Sequence, residues 1–138
     1  LMDLYSGVGL FSKFFADRFD RCIAIEGSPS AVGDYVVNLD DFDHVEVYEG
    51  SVESLLPSMD VEPDIVIMDP PRAGVNGKVV DWLAKREVQK VIYVSCDPST
   101  LARDVKRMVM QGYHLQEVAM FDQFPQTYHI ETISILTR

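Results

Sequence analysis

HLQEVAMFDQFPQTYHIETISILT, residues 114–137, closes the chain with two strand-like runs and almost nothing between them. The runs cover 114–120 and 129–137, and only the turn-like DQFPQ at 122–126 separates them. No crossover helix fits in that gap. Parallel neighbours need a connection of a dozen or more residues, so these two strands are expected to pair antiparallel. Upstream the pattern differs. Strand-like runs at 1–5, 21–25, 45–48, 64–68 and 90–94 alternate with stretches at 11–18, 30–39, 78–85 and 99–111, whose apolar residues recur at spacings of three and four. That alternation predicts βα units on a mostly parallel sheet with helices on both faces. The unbroken apolar runs IVIM at 65–68 and VIYV at 91–94 fit strands covered on both sides. The expected fold is α/β, a seven-stranded sheet ending in an antiparallel hairpin.

The 138 residues suit one domain, and a hydrophobic content of 47 % with 25 % charged residues is ordinary for a globular protein. No apolar run approaches the roughly 20 residues of a membrane span, so no membrane partner is expected. Cys22 and Cys96 lack zinc-like spacing and are too few for a disulfide scaffold. That points to a reducing, cytoplasmic compartment and to no metal. The net charge of −10 argues against a grip on nucleic acid by bulk electrostatics, because phosphate binding needs clustered Lys and Arg. The chain opens on LMDLY, a strand already under way, with loop glycines directly after it. The expectation is a domain from a longer protein, with any partner-binding part upstream.

Three clusters carry chemistry. DLYSGVGLF at 3–11 runs from the first strand into the first helix, and Gly7 and Gly9 let the backbone turn and approach a ligand closely. Glu26 ends the second strand, where a carboxylate can accept hydrogen bonds from both ribose hydroxyls. The third glycine of a dinucleotide fingerprint is missing, since position 12 is Ser12; a dinucleotide and an adenosine-type cofactor both remain open. Asp69 ends the fourth strand, at the edge where open α/β sheets bind ligands. Pro70 and Pro71 stiffen the loop after it, and Arg72 offers a planar fork for a carboxylate, a phosphate or a base edge. In VIYVSCDPST at 91–100, Asp97 is a natural helix cap and Pro98 a natural first helical residue. Cys96 therefore stands near a helix N-terminus, where positive partial charge favours a thiolate while Asp97 opposes it. It is a nucleophile or a small buried hydrophobe. Cys22, inside a strand, reads as core. Glu131 begins an apolar strand that can return to the edge holding Cys96, where a carboxylate could act as a base. His129 is a second base, a hydrogen-bonding partner or a plain strand residue.

Together, DLYSGVG, DPPRAG, SCDPSTLARD and FDQFPQTYHIET resemble the RNA 5-methyluridine methyltransferase family, nearly end to end and in the same order. The resemblance implies a Rossmann-like class I methyltransferase fold and S-adenosyl-L-methionine-dependent methylation of a uridine in tRNA or ribosomal RNA. It implies that Cys96 attacks carbon 6 of uracil, that Glu131 removes the carbon 5 proton, and that Asp69 lies between cofactor and base. Asp3, Tyr5, Gly7, Gly9, Glu26 and Ser51 would hold the cofactor, with Ser51 near the adenine. Pro70, Arg72 and His129 would contact the substrate.

Family members commonly have Cys where Ser6 stands and Asn where Asp97 stands. They also carry upstream cofactor and RNA-binding parts, which would resolve the charge objection. The expectation is that these 138 residues alone bind cofactor weakly and methylate poorly. The competing expectations are another RNA or DNA methyltransferase of the same fold, and a non-catalytic cofactor-binding module. Carbon 5 methylation of RNA cytosine usually pairs the Asp-Pro motif with a second cysteine, and here Arg72 occupies that place.

Overall fold

A computed structural model describes residues 1–123, 125–127 and 130–138. The seven strands are β1 (Met2–Leu4), β2 (Cys22–Glu26), β3 (Val45–Glu49), β4 (Ile65–Met68), β5 (Lys90–Ser95), β6 (His114–Phe121) and β7 (Glu131–Thr137). They form one sheet in the order β3-β2-β1-β4-β5-β7-β6. The first five are parallel, while β7 inserts antiparallel between β5 and β6. The order reverses between β1 and β4, and ligands in such sheets bind at the carboxyl ends of the strands on either side of the reversal.

Helices α1 (Leu10–Phe15), α2 (Pro29–Asn38), α3 (Val52–Leu55), α4 (Gly77–Lys85) and α5 (Pro98–Met110) fill the crossovers. A 3₁₀ turn, Ala16–Arg18, extends α1, and a second, Leu56–Ser58, follows α3. The short α3 has no counterpart among the helices expected from the sequence. It is a single turn ended by Pro57, too brief to show a periodic apolar face. By contrast, α5 has all its expected signals. Asp97 Oδ1 accepts from the backbone N–H groups of Ser99 and Thr100 at 2.9 Å each, Pro98 opens the helix, and Leu101, Asp104 and Met108 face inward.

The sheet's two faces bury different sets. Met2, Leu4, Val66, Met68, Val91, Tyr93 and Leu136 pack with Val79, Leu83, Leu101 and Met108 from α4 and α5. On the other face, Leu1, Cys22 and Ile67 meet Phe11 and Phe15 of α1, while Ala24 meets Tyr35 of α2 and Leu39 just after it. A fully buried Val, Leu, Ile or Met among them contributes roughly 1.5–3 kcal/mol. Cys22 is completely buried, as expected for a core residue. Beyond α1 that second face is less well covered: Ile92, Val94, Ile133 and Ile135 are only half-buried. The edge strand β6 is exposed along most of its length and carries an irregularity between Leu115 and Glu117. Among the described residues, no helix is long and apolar enough to cross a membrane.

Candidate active site

The strand order lays the predicted residues out along one edge. Ser51 follows β3, Glu26 ends β2, the loop 5–9 follows β1, Asp69 follows β4, Cys96 follows β5, and Glu131 begins β7. Neighbouring strands lie about 4.8 Å apart, so from Asp69 to Glu131, two strands away, is about 10 Å across the sheet. The register makes the last step firm. Ser95 pairs with Thr132, and Thr132 Oγ1 donates to the Ser95 carbonyl at 3.1 Å. One residue further towards the edge, Cys96 follows the last residue of β5 and Glu131 is the first of β7.

The glycine loop is held from several sides. Gly7 and Gly9 have φ of 54° and 88°, in the left-handed region, and Tyr5 sits at 60°. Gly7 N–H donates to Glu26 Oε2 at 2.7 Å, and Ser28 N–H to Glu26 Oε1 at 2.7 Å. Asn38 Nδ2 donates to the Val8 carbonyl at 2.9 Å. Asp3 turns its Oδ2 inward, where it accepts from both the backbone N–H and the hydroxyl of Ser12. The Tyr5 hydroxyl donates to Glu53 Oε1 at 2.7 Å, so Tyr5 is anchored to α3. Ser51 is exposed, and its hydroxyl donates to Ser54 Oγ.

Acidic groups dominate the edge. Burial pushes the Asp3 carboxyl up to about 6; hydrogen bonds from Ser12 oppose this, and the charges of Asp69 and Glu26 add to it. Asp69 is open to solvent on one side yet flanked closely by protein, and it is also held at about 6, first by partial burial and then by Glu131. Asp69 therefore feels the charge of Glu131. Asp97 lies on the low side of the carboxylate range, chiefly through the backbone N–H of Thr100, with a smaller effect from Arg72. Cys96 is a free, half-buried thiol. Pro70 is buried and Arg72 exposed, while His129 lies outside the described residues.

Some of the frame is not apparent from the motifs. Asp104, fully buried in α5, accepts from Val75 N–H and from the Tyr93 hydroxyl at 2.9 Å each, and from Arg103. An aspartate on the inward face of a helix was the available signal. A concavity of about 690 Å³ lies at the opposite end of the strands, near Leu1, Arg18, Arg21 and Asp64. It holds none of the residues that the sequence motifs single out.

Residues 55–138 match the model of the tRNA (uracil-5-)-methyltransferase family. The chain belongs to that family. It is 42 % identical to an uncharacterized RNA methyltransferase of Streptomyces coelicolor, over 98 % of this chain and 30 % of that protein. It is 39 % identical to one of Thermotoga maritima, over its full length and 32 % of the relative. The crystal structure of Pyrococcus abyssi tRNA (uracil-54, C5)-methyltransferase in complex with S-adenosyl-L-homocysteine superposes with a TM-score of 0.85 at 33 % identity, covering 99 % of this chain and 33 % of that one. The chain thus spans about a third of the length of the curated relatives it matches. The observed fold is the class I methyltransferase fold that the sequence resemblance implied.

Proposed function

We propose that the protein containing this domain methylates carbon 5 of a uridine in tRNA or ribosomal RNA, using S-adenosyl-L-methionine, through a transient bond between Cys96 and carbon 6 of the base. The pairing of Ser95 with Thr132, whose next residues towards the edge are Cys96 and Glu131, carries this reading, with Asp69 following β4 on the other side of β5.

The cofactor half of the edge suits a positively charged nucleoside. Asp3 Oδ1 and Ser6 Oγ are buried with no hydrogen-bond partner among the described residues, beside a loop whose glycines admit a close ligand. Glu26 has oxygen lone pairs left for ribose hydroxyls after accepting from Gly7 and Ser28. The carboxylates Asp3, Glu26 and Asp69 suit a ligand that bears an ammonium and a sulfonium. Ser51 stands on β3's side of Glu26, the side for the adenine. When bound, S-adenosyl-L-methionine supplies an electrophilic methyl group on sulfonium.

The base half supplies the nucleophile and the proton acceptor. Uracil carbon 5 is too weak a nucleophile alone. Addition of the Cys96 thiolate to carbon 6 moves electron density through carbon 5 to the carbonyl oxygen, leaving an enolate that can be methylated at carbon 5. Glu131 then takes the carbon 5 proton, the double bond re-forms, and the carbon–sulfur bond breaks to return the thiolate. Asp69, between the two halves, orients the base against the cofactor, with Pro70 fixing its loop. Arg72, whose charge reaches Asp97, contacts the base or the RNA backbone. His129 is assigned to the substrate side. With ten net negative charges in this domain, RNA is gripped mainly by other parts of the protein. These 138 residues span about a third of the relatives' length, without the family's upstream cofactor and RNA-binding parts, and alone are expected to bind cofactor and methylate weakly.

The test uses the intact protein, cofactor and RNA containing 5-fluorouridine. Fluorine cannot leave as a proton does, so a covalent protein–RNA adduct should survive denaturation and vanish in Cys96→Ala. Methylation of ordinary RNA with no adduct on the fluorinated substrate would overturn the covalent route.

A further inference from the structure

We propose that Asp104 and Arg103 of α5 form a positioning pair that holds the Asp69–Arg72 loop and the Cys96 turn in one rigid frame, so that the two halves of the site keep their alignment during the reaction. The inference rests on the methyltransferase reading above.

Asp104 is completely buried, which is costly for a carboxylate unless it is paired and fully hydrogen-bonded. Its partners come from three places. Val75 N–H, in the segment after the Asp69 loop, donates to Oδ2 at 2.9 Å; the Tyr93 hydroxyl on β5 donates to the same oxygen at 2.9 Å. Arg103 donates Nε to Oδ1 at 2.9 Å and Nη2 to Oδ2 at 3.2 Å, and Arg107 adds its charge at 3.5 Å. Arg103 then reaches beyond the carboxylate, donating Nη2 to the Ala73 carbonyl at 2.7 Å. Two consecutive residues of α5 thus hold the loop by both a carbonyl and an N–H. Between those points Gly74 has φ of 76°, and a Cβ there would run into Asp104 Oδ2 and the Arg103 guanidinium. The backbone passes so close to the pair that only glycine fits.

The other end of the loop is fixed as well. Asp69 N–H donates to the Leu4 carbonyl, Pro70 and Pro71 restrict the backbone, and Gly74 N–H closes a turn onto the Pro71 carbonyl at 2.8 Å. Asp69 and Arg72 are therefore carried on a segment with little freedom at either end. On the nucleophile's side, Asp97 N–H donates to Ser95 Oγ at 3.2 Å, and Asp97 caps the same helix that carries Arg103 and Asp104. Tyr93 lies opposite Met68 on β4 and Ser134 on β7, so its hydroxyl ties the pair to the middle of the sheet. A hydrophobic residue at 104 could fill the core, but it could not grip the loop's N–H or orient Arg103 towards the Ala73 carbonyl.

The variant that separates alignment from folding is Arg103→Lys. Arg103 is partly exposed, and lysine keeps the charge while losing the two-pronged contact and the reach to Ala73. In the intact protein, the single-turnover rate of adduct formation on 5-fluorouridine RNA, at saturating RNA and cofactor and well below the melting temperature, should fall by about 10- to 100-fold, the scale expected for a misplacement of ångström size. The dissociation constant for S-adenosyl-L-homocysteine should stay within about threefold of wild type, because the glycine loop and Glu26 are untouched. Asp104→Asn should show the same split if it folds; if it does not, Arg103→Lys carries the test alone. A folded Arg103→Lys protein with an adduct rate within about twofold of wild type overturns the proposal, as does a loss of cofactor affinity in proportion to the rate. Failure of the wild-type protein itself to form an adduct would instead bring down the covalent route, and the proposal with it.

Discussion

Gly7 and Gly9 stand two residues apart in one loop, yet alanine should damage them in different ways. At Gly9, φ is 88° and an added Cβ would lie 2.5 Å from Leu39 Cδ1 and 2.8 Å from Tyr35 Cδ2. Both neighbours are buried side chains of the core beneath α2, with little room to retreat. The left-handed backbone costs about 1–2 kcal/mol for a residue with a Cβ, and overpacking about 1–3 kcal/mol more, together about 2–5 kcal/mol. With an unfolding entropy of about 2.1 cal/mol/K per residue, each kcal/mol lowers the melting temperature of a domain of this length by roughly 3.5 °C. Gly9→Ala should therefore melt roughly 7–17 °C below wild type.

At Gly7, φ is 54° and a Cβ would meet no atom within 4 Å. Only the backbone term applies, about 1–2 kcal/mol, or roughly 3–7 °C. The open space is not neutral in function, because it adjoins the Gly7 N–H bond to Glu26 at the proposed cofactor edge. A methyl group intruding on bound ligand by the same overpacking scale, about 1–3 kcal/mol, weakens binding about 5- to 150-fold. Thermal melting without ligand and calorimetric titration with S-adenosyl-L-homocysteine, on the same three proteins, measure both effects. The assignment of the loop is refuted if Gly7→Ala binds the ligand as wild type does. The packing account is refuted if the two variants melt within a degree or two of each other.

Glu131→Gln should leave the nucleophile able to add and methylation able to proceed while removing the base. A covalent complex with ordinary, unfluorinated RNA should then accumulate on denaturing gels, and rapid turnover without it would contradict the role of Glu131. The raised carboxyls of Asp3 and Asp69 predict an unusual pH response. Both titrate near 6 in the folded state against 3.8 for an ordinary aspartate, so between about pH 4 and 6 the folded chain holds protons that the unfolded chain has released. The stability from these groups is present below about 4 and is lost as the pH rises through 6. The urea midpoint should accordingly be higher at pH 5 than at pH 7, and Asp69→Asn should shrink the difference; an unchanged difference in that variant would remove Asp69 as a source. Affinity for cationic S-adenosyl-L-methionine should move the other way, rising from pH 5 to pH 7 as the carboxylates ionise, which titration at the two pH values checks.

Most of the architecture was legible because this sheet announces itself strand by strand. Several apolar runs end in a residue with its own chemistry, such as Glu26, Asp69 or Cys96, and the observed strands lie within a residue or two of the expected runs. The antiparallel ending followed from a connection too short to cross over. Its placement did not, since a short connection makes β6 and β7 neighbours without saying which of them adjoins β5. The difference matters chemically: β7 beside β5 brings Glu131 to Cys96, whereas the opposite order would put a whole strand between them. Hydropathy was a poor guide within β7. In ETISILT the hydroxyl residues Thr132 and Ser134 are buried with Leu136, while Ile133 and Ile135 are only half-covered. The buried face lies against the α4–α5 side of the sheet, and the Thr132 hydroxyl repays its burial by bonding the Ser95 carbonyl. That bond joins the two strands one residue short of the proposed nucleophile and base. Asp104 makes the same point from the helix side. Helical periodicity marks its position as inward-facing, and only the folded loop shows what an inward carboxylate holds. In both places a polar residue on a buried face has a specific neighbour to fix, and that neighbour belongs to the proposed active site. Such residues are therefore the ones whose conservative replacement should disturb alignment before it disturbs folding.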